Sequence, residues 1–145
     1  MKGKCNIFYA AVDIGTSQIK LGVASPEMDP AIRILGYRST VVDTNAEGKA
    51  TVSYNAIRSS IFELLDELGK FLSNHKAEKL CIGICGLVSS YLIWDSKNAR
   101  PVNDSIPIWL DRSCSPTTEK LFKKMAGNDR KMLGTHLPKG TNWLL

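Results

Sequence analysis

Two apolar, β-prone runs, Ile7 to Val12 and Ile19 to Ala24, are separated by only a few, mostly polar residues. Strands joined so closely pair antiparallel, so the start of the chain is restricted to a β-hairpin. The connecting residues, within Ala11 to Gly22, read Ala-Val-Asp-Ile-Gly-Thr-Ser-Gln-Ile-Lys-Leu-Gly. Gly15 can take positive φ and places no Cβ in the way of a ligand approaching the backbone. Thr16 and Ser17 add hydroxyls beside turn N–H groups, so the turn can present several donors to phosphate oxygens. Asp13 would repel a phosphate directly. Its natural use is to hold Mg²⁺, or a metal-bound water that bridges to the phosphate, because hard cations prefer oxygen ligands. A plainer reading stands beside this one: a hairpin in which Asp13 and Thr16 only satisfy turn amides.

At 145 residues the chain is one domain's worth and can bury roughly 70% of its unfolded surface, so folding requires no disulfide or metal staple. Lys and Arg total 19 against 14 acidic residues, a net charge of +5, which favours anionic ligands without singling out nucleic acid. The cysteines, Cys5, Cys81, Cys85 and Cys114, form no C-x-x-C pair. Cys81 and Cys85 fall on one face of a strand-like run, without the reach of a zinc knuckle, so buried free thiols in a reducing cytoplasm are expected. Lys2 and Lys4 before the run Ile7 to Ile14 imitate a signal peptide. The run is short and ends in the Asp-Ile-Gly-Thr turn instead of a small-residue cleavage site, so a cytoplasmic protein is expected. Nothing in the sequence reaches membrane-spanning length.

The order of elements follows from periodicity. Ile32 to Val42 reads as a third strand and Asp43 to Ala50 as a polar loop, giving three strands before any helix. Ile57, Ile61, Leu64, Leu65, Leu68, Phe71 and Leu72 then recur at helical spacing, the mark of a helix with one buried face. Leu80 to Cys85 is continuously apolar, as a buried parallel strand would be. Tyr91 to Trp94 and Ile106 to Leu110 read as short strands around a turn-rich loop, Asp95 to Asp104. Ser115 to Ala126 reads as a helix, with Ser115 as N-cap and Pro116 at the first helical position.

Three strands, a helix and a strand, with a phosphate-type turn between the first two, resemble the ribonuclease H-like half-domain of actin-like ATPases. That is an α/β fold with a mixed sheet and flanking helices. Three blocks narrow the resemblance to the FGGY family of carbohydrate kinases, which includes xylulose, gluconate and glycerol kinases. Ala11 to Gly22 resembles the family's first phosphate motif, Asp-x-Gly-Thr-Ser/Thr followed by a basic residue, here Lys20. Ile82 to Asp95 is similar to its strand, substrate loop and strand, often Ile-Gly-Ile-Ser-Gly-Gln-Met-His. Arg100 to Arg112, ending Pro-Ile-Trp-Leu-Asp-Arg, is similar to its Pro-Ala-Ile-Leu-Trp-x-Asp-x-Arg block, and Gly134 to Trp143 is similar to a later Gly-containing segment.

The resemblance implies an ATP-dependent phosphotransferase with an alcohol acceptor. Asp13, Gly15, Thr16, Ser17 and Lys20 would face the ATP phosphates and Mg²⁺, with Asp13 acting on the metal indirectly. Gly86, Leu87, Val88, Ser89, Trp109 and Asp111 would border a sugar or polyol. Each residue has a plainer counterpart: Trp94 and Trp109 as core aromatics, Asp111 as a turn cap, and Lys120, Lys123, Lys124, Arg130 and Lys131 as a solvated helix face. Leu87, Val88 and Ser89 stand where many relatives have Gln, Met and His, which removes polar side chains for sugar hydroxyls. Ser113 stands where an Arg often follows the Trp-x-Asp block.

Members of the family are about three times longer, and their catalytic Asp, second phosphate motif and adenosine pocket lie in later sequence. The chain is therefore expected to be the N-terminal part of a first kinase domain, as a fragment, a truncated frame or a degenerate copy, and to be inactive by itself. The sequence admits two other function classes. A non-catalytic binding or interaction module would use the apolar surface exposed by truncation, for instance to self-associate. Nucleic-acid binding rests only on net charge. Nuclease chemistry needs clustered carboxylates for two metals, and beyond Asp13 no convincing set is found among Glu63, Asp66, Asp95 and Asp111.

Overall fold

The computed structural model describes residues 6–124. In chain order the elements are β1 (Ile7–Ile14), β2 (Gln18–Ala24), β3 (Ile32–Ser39), β4 (Val42–Thr44), β5 (Ala50–Ser53), α1 (Tyr54–Asn74), β6 (Lys79–Cys85), β7 (Trp94–Asp95), β8 (Arg100–Pro101), β9 (Ser105–Pro107) and α2 (Ser115–Lys124). They fall into two compact units. Among the described residues, one holds 6–41 together with Tyr54–Leu87; the other holds Val42–Ser53 and 88–124.

The first unit is built on the alternation of β1. Phe8, Ala10 and Val12 are buried, while Tyr9, Ala11 and Asp13 between them are exposed. Such alternation places one face against a core and the other outward. β2 repeats it with Ile19, Leu21 and Val23 buried, and pairs antiparallel with β1 from Tyr9 opposite Ala24 to Ile14 opposite Ile19. β3 pairs antiparallel with β2, β6 pairs parallel with β1, and the sheet runs β3-β2-β1-β6.

Helix α1 covers the buried face through Ile57, Leu64 and Leu68. Its end is pinned beside the start of β1. The Phe71 ring meets Phe8 edge-on at 5.9 Å and stacks on His75 at 4.0 Å. The Asn6 amide donates to the His75 carbonyl at 2.7 Å, satisfying one of the carbonyls that a helix end leaves without a partner. On the β3 side, Arg38 donates to Glu63 at 2.7 Å and to Glu67 at 2.6 Å. Those hydrogen bonds, Glu63 first, raise the guanidinium's pKa above its ordinary value. Gly36 clears the way for the helix, since a Cβ there would lie 2.9 Å from Leu64 Cδ2.

The second unit has its own small sheet, β4-β5-β9, antiparallel throughout. Its core is Ala50, Val52, Ile106 and Ile108, with Val52 opposite Ile106 and the Ile108 N–H donating to Ala50 O at 3.1 Å. Asn45 Oδ1 shapes the β4–β5 turn by accepting from the Glu47 and Lys49 amides at 3.1 and 3.0 Å. Gly48 takes φ +81° in that turn, a conformation glycine reaches without strain. The β7–β8 hairpin is closed by Asp95 Oδ1, which accepts from the Lys97 and Asn98 amides at 2.9 and 3.3 Å. The Asn98 amide and these backbone donors hold the Asp95 carboxyl below its ordinary pKa.

The hairpin, the long helix and the second helix stand where the sequence placed them, the last two residues of the predicted second helix lying outside the described residues. Other expectations are corrected. The third strand ends at Ser39, and Val42–Thr44 is a separate strand of a different sheet. Five strands therefore precede α1, because the presumed polar loop contains the tight turn of a second hairpin. Tyr91 to Trp94 contributes only Trp94 to a strand, and the loop from Asp95 to Asp104 contains β8. The strand expected over Ile106 to Leu110 runs Ser105–Pro107 and gives way to a turn. β6 is parallel as expected but exposed at every residue, since α1 packs over β3, β2 and β1. Cys81 and Cys85 are consequently exposed, not buried, and Cys114 is half-buried. No helix among the described residues is long and apolar enough to cross a membrane.

Leu64 has no exposed surface and its truncation leaves a cavity between α1 and the sheet. Leu64→Ala is expected to destabilise the protein by about 2–5 kcal/mol, read as a lower urea midpoint at constant slope.

Candidate functional site

The turn between β1 and β2 is short because pairing continues to its base. Ile14 faces Ile19, and the Gly15 N–H donates to Gln18 O at 2.9 Å, leaving Thr16 and Ser17 as the loop. Gly15 does not take the left-handed conformation anticipated for it. Its lack of a side chain matters for space instead: a Cβ would lie 2.8 Å from the Gln18 carbonyl oxygen. Thr40 lies beside the turn, its N–H donating to Ser17 O at 2.9 Å and its hydroxyl to Gly15 O at 3.4 Å.

The register sets what surrounds the turn. Asp13 stands opposite Lys20 on β2 and beside Cys85 on β6, while Lys20 stands opposite Tyr37 on β3. Residues opposite one another on a ladder share a face, so Tyr37, Lys20, Asp13 and Cys85 form one row across the sheet. The row lies on the face away from α1, and all four residues are exposed. The next row inward, Ile34, Gly22, Ala11 and Gly83, has almost no side-chain bulk over its inner three positions. The backbone of β2, β1 and β6 is therefore approachable just behind Asp13 and Lys20. Among the described residues Asp13 makes no turn hydrogen bond of the kind the plainer reading required, and neither it nor Lys20 forms an ion pair.

The phosphate-type residues Asp13, Gly15, Thr16, Ser17 and Lys20 are thus brought together at one end of the hairpin. A single carboxylate is a poor cage for a bare cation, and no group of three or more His, Cys, Asp or Glu side chains suited to a metal is found among the described residues. It does suit Mg²⁺ that keeps most of its waters and is held chiefly by phosphate oxygens.

The residues proposed for a sugar divide between the two units. Gly86 and Leu87 follow β6 in the first, whereas Val88, Ser89, Trp109 and Asp111 belong to the second. Trp109 and Trp94 are about half exposed, which corrects their reading as core aromatics. Asp111 is 2% exposed and accepts from the Ser113 amide at 2.8 Å, as a turn-capping Asp does. Close to it is Tyr91, which the sequence did not single out. Burial first, then the charges of Asp111 and Cys114, raise the Tyr91 hydroxyl's pKa above 10.0. Lys120, Lys123 and Lys124 are exposed along α2, as a solvated face would be. Gly134 to Trp143, with Arg130 and Lys131, lies outside the described residues.

Solved structures share the fold. A glycerol kinase from Plasmodium falciparum, determined with ADP, superposes with a TM-score of 0.73 at 20% identity, covering 94% of this chain and 27% of the kinase. A xylulose kinase from Rhodospirillum rubrum gives 0.69 at 15% identity, covering 84% of this chain and 24% of the kinase. A gluconate kinase from Lactobacillus acidophilus gives 0.59 at 15% identity, covering 88% and 23%. The fold is that of carbohydrate kinases. The chain spans about a quarter of the length of the kinases it matches. No protein-family profile matches the sequence.

Two outcomes follow for this fold. Gly15→Ala is expected to cost about 1–3 kcal/mol and to shift the amide resonances of Thr16 to Gln18, because the new methyl displaces the Gln18 carbonyl. Tyr91, with its folded pKa above the unfolded 10.0, contributes stability that is full below that value and is lost as pH rises through the folded pKa. Thermal melts between pH 8 and 11 should show wild type losing stability relative to Tyr91→Phe above about pH 10.

Proposed function

We propose that this chain is the N-terminal part of an ATP-dependent sugar or polyol kinase of the FGGY type, with the ribonuclease H-like, actin-like ATPase fold, acting in the cytoplasm. Its part in that enzyme is the first phosphate-binding turn and a portion of the sugar site. The observation that carries the reading is the convergence of Asp13, Lys20 and the Gly15–Ser17 turn at one end of an open sheet face, in a fold shared with a kinase solved with ADP.

Phosphoryl transfer depends on alignment and charge neutralisation more than on covalent help. Mg²⁺, when bound, bridges phosphate oxygens and neutralises charge that develops on them. Asp13 would hold that ion through its waters, Lys20 would supply a fixed positive charge beside it, and the Gly15 to Ser17 backbone would orient the phosphates. Gly86, Leu87, Val88, Ser89, Trp109 and Asp111 would border the acceptor, the exposed indole offering an apolar wall to a sugar ring. The catalytic base and the adenosine pocket are expected from later sequence of such a kinase, so residues 1–145 serve binding and not turnover.

A second reading, a non-catalytic interaction module that self-associates, is favoured by the apolar side chains left exposed on the first unit: Tyr9, Ile32, Ile34, Ile82 and Ile84. A discrete dimer in light scattering that persists when Asp13 is replaced would favour it over the kinase reading.

Titration of the ¹⁵N-labelled chain with Mg·ADP should shift the amides of Asp13 to Lys20. In Asp13→Asn that response is expected to weaken at least several-fold with Mg·ADP and to change little with metal-free ADP. Purified residues 1–145 should show no ATP- and sugar-dependent turnover above background. Shifts confined to residues remote from the turn would refute the phosphate assignment, and measured turnover would refute the binding-only role.

A further inference from the structure

The last ladder pair of the hairpin is Ile14 with Ile19, and inside it the Gly15 N–H donates to Gln18 O at 2.9 Å across Thr16 and Ser17. Two-residue hairpin loops usually hold their shape through positive φ at one or both central residues, which matches the twist of the strands. Neither Thr16 nor Ser17 takes positive φ. The turn is therefore not of that kind, and directing its two arms calls for a contact to both.

Thr40 meets that requirement. The last β2–β3 pair is Gln18 opposite Ser39, so Thr40 extends the ladder by one residue and its N–H reaches Ser17 O at 2.9 Å. Its hydroxyl crosses to the other arm and donates to Gly15 O at 3.4 Å. One residue thus fixes the carbonyls on both sides of Thr16. A trans peptide points its N–H opposite its C=O. Holding the Gly15 and Ser17 carbonyls toward Thr40 consequently aims the Thr16 and Gln18 N–H groups to the other side. The β-branched threonine is stiff at χ1 and delivers its hydroxyl from a nearly fixed direction. We propose that Thr40 is a positioning residue for the phosphate turn, setting the direction of its backbone donors without itself touching the nucleotide. Its consequence for nucleotide rests on the phosphate reading above; its hold on the turn does not.

The test uses the full ¹⁵N-labelled chain with Thr40→Val, which keeps the shape and the N–H but removes the hydroxyl, and Thr40→Ser, which restores it. Thr40→Ala serves the same purpose if valine is not accommodated. Without ligand, the valine variant should exchange the Gly15 amide several-fold faster and shift Thr16 to Gln18, with α1 amides unchanged, and serine should reverse both. With Mg·ADP, loss of one hydrogen bond is expected to weaken the response about three- to tenfold, with recovery in Thr40→Ser. Turn resonances and Mg·ADP affinity equal to wild type in Thr40→Val would overturn the proposal and leave the phosphate reading standing. A wild-type chain indifferent to Mg·ADP, with a turn that loosens in valine and recovers in serine, would uphold Thr40 as the clamp and remove the phosphate reading.

Discussion

The alternation of β1 governs the rest of the first unit. Phe8, Ala10 and Val12 must meet α1, and that choice sends Tyr9, Ala11 and Asp13 to the opposite face. A slip of one residue would press the Asp13 carboxylate toward Leu64 and Leu68 and put Phe8 into water. An unpaired buried carboxylate costs several kcal/mol or more, in addition to the burial of Phe8 that is lost, so the register is tightly specified. The same apolar stripe that folds the sheet therefore sets where its one candidate phosphate carboxylate points.

The helix is held to the sheet at its C-terminal end and at its middle by different chemistry. Near the end of α1, Phe8, Phe71 and His75 make a ring cluster, and Asn6 bonds the His75 carbonyl. Toward β3, Glu63 and Glu67 stand one turn apart and receive two N–H groups of Arg38. The fork geometry of guanidinium suits two carboxylates spaced in this way, where a lysine would supply a single point charge. These half-exposed ion pairs contribute little net stability in water. Their effect is directional: with Gly36 making room for Leu64, they fix the helix over β3 while apolar burial supplies the free energy.

Where the sequence was legible, long periodic signals carried the information. The helix from Ile57 to Leu72 repeats its apolar spacing over several turns, and the first hairpin has strands long enough for alternation to be counted. β4, β5 and β9 were missed as a sheet because each spans at most four residues, too short for a period, and β5 and β9 meet across about a third of the chain. The candidate site divides in the same way. Asp13, Gly15, Thr16, Ser17 and Lys20 are close in sequence and could be grouped on residue type. Thr40 could not, because its role depends on the Gln18–Ser39 register, which local composition does not encode. Of the two properties that single out Gly15, positive φ is not used, while the lack of a Cβ gives steric room beside the Gln18 carbonyl.

β6 marks the other limit. Its run Leu80-Cys81-Ile82-Gly83-Ile84-Cys85 is apolar on both faces, a pattern suited to a strand covered on both sides, yet each residue is exposed. β1 and β2, by contrast, alternate in a way that one covering helix satisfies. The two halves of the sheet therefore ask for different surroundings. The Gly15–Ser17 turn belongs to the satisfied half: its pairing comes from β1 and β2, and Thr40 bonds the Gly15 and Ser17 carbonyls. Cys85 alone joins the Asp13 row from β6, beside the Asp13 carboxylate and away from Thr16 and Ser17.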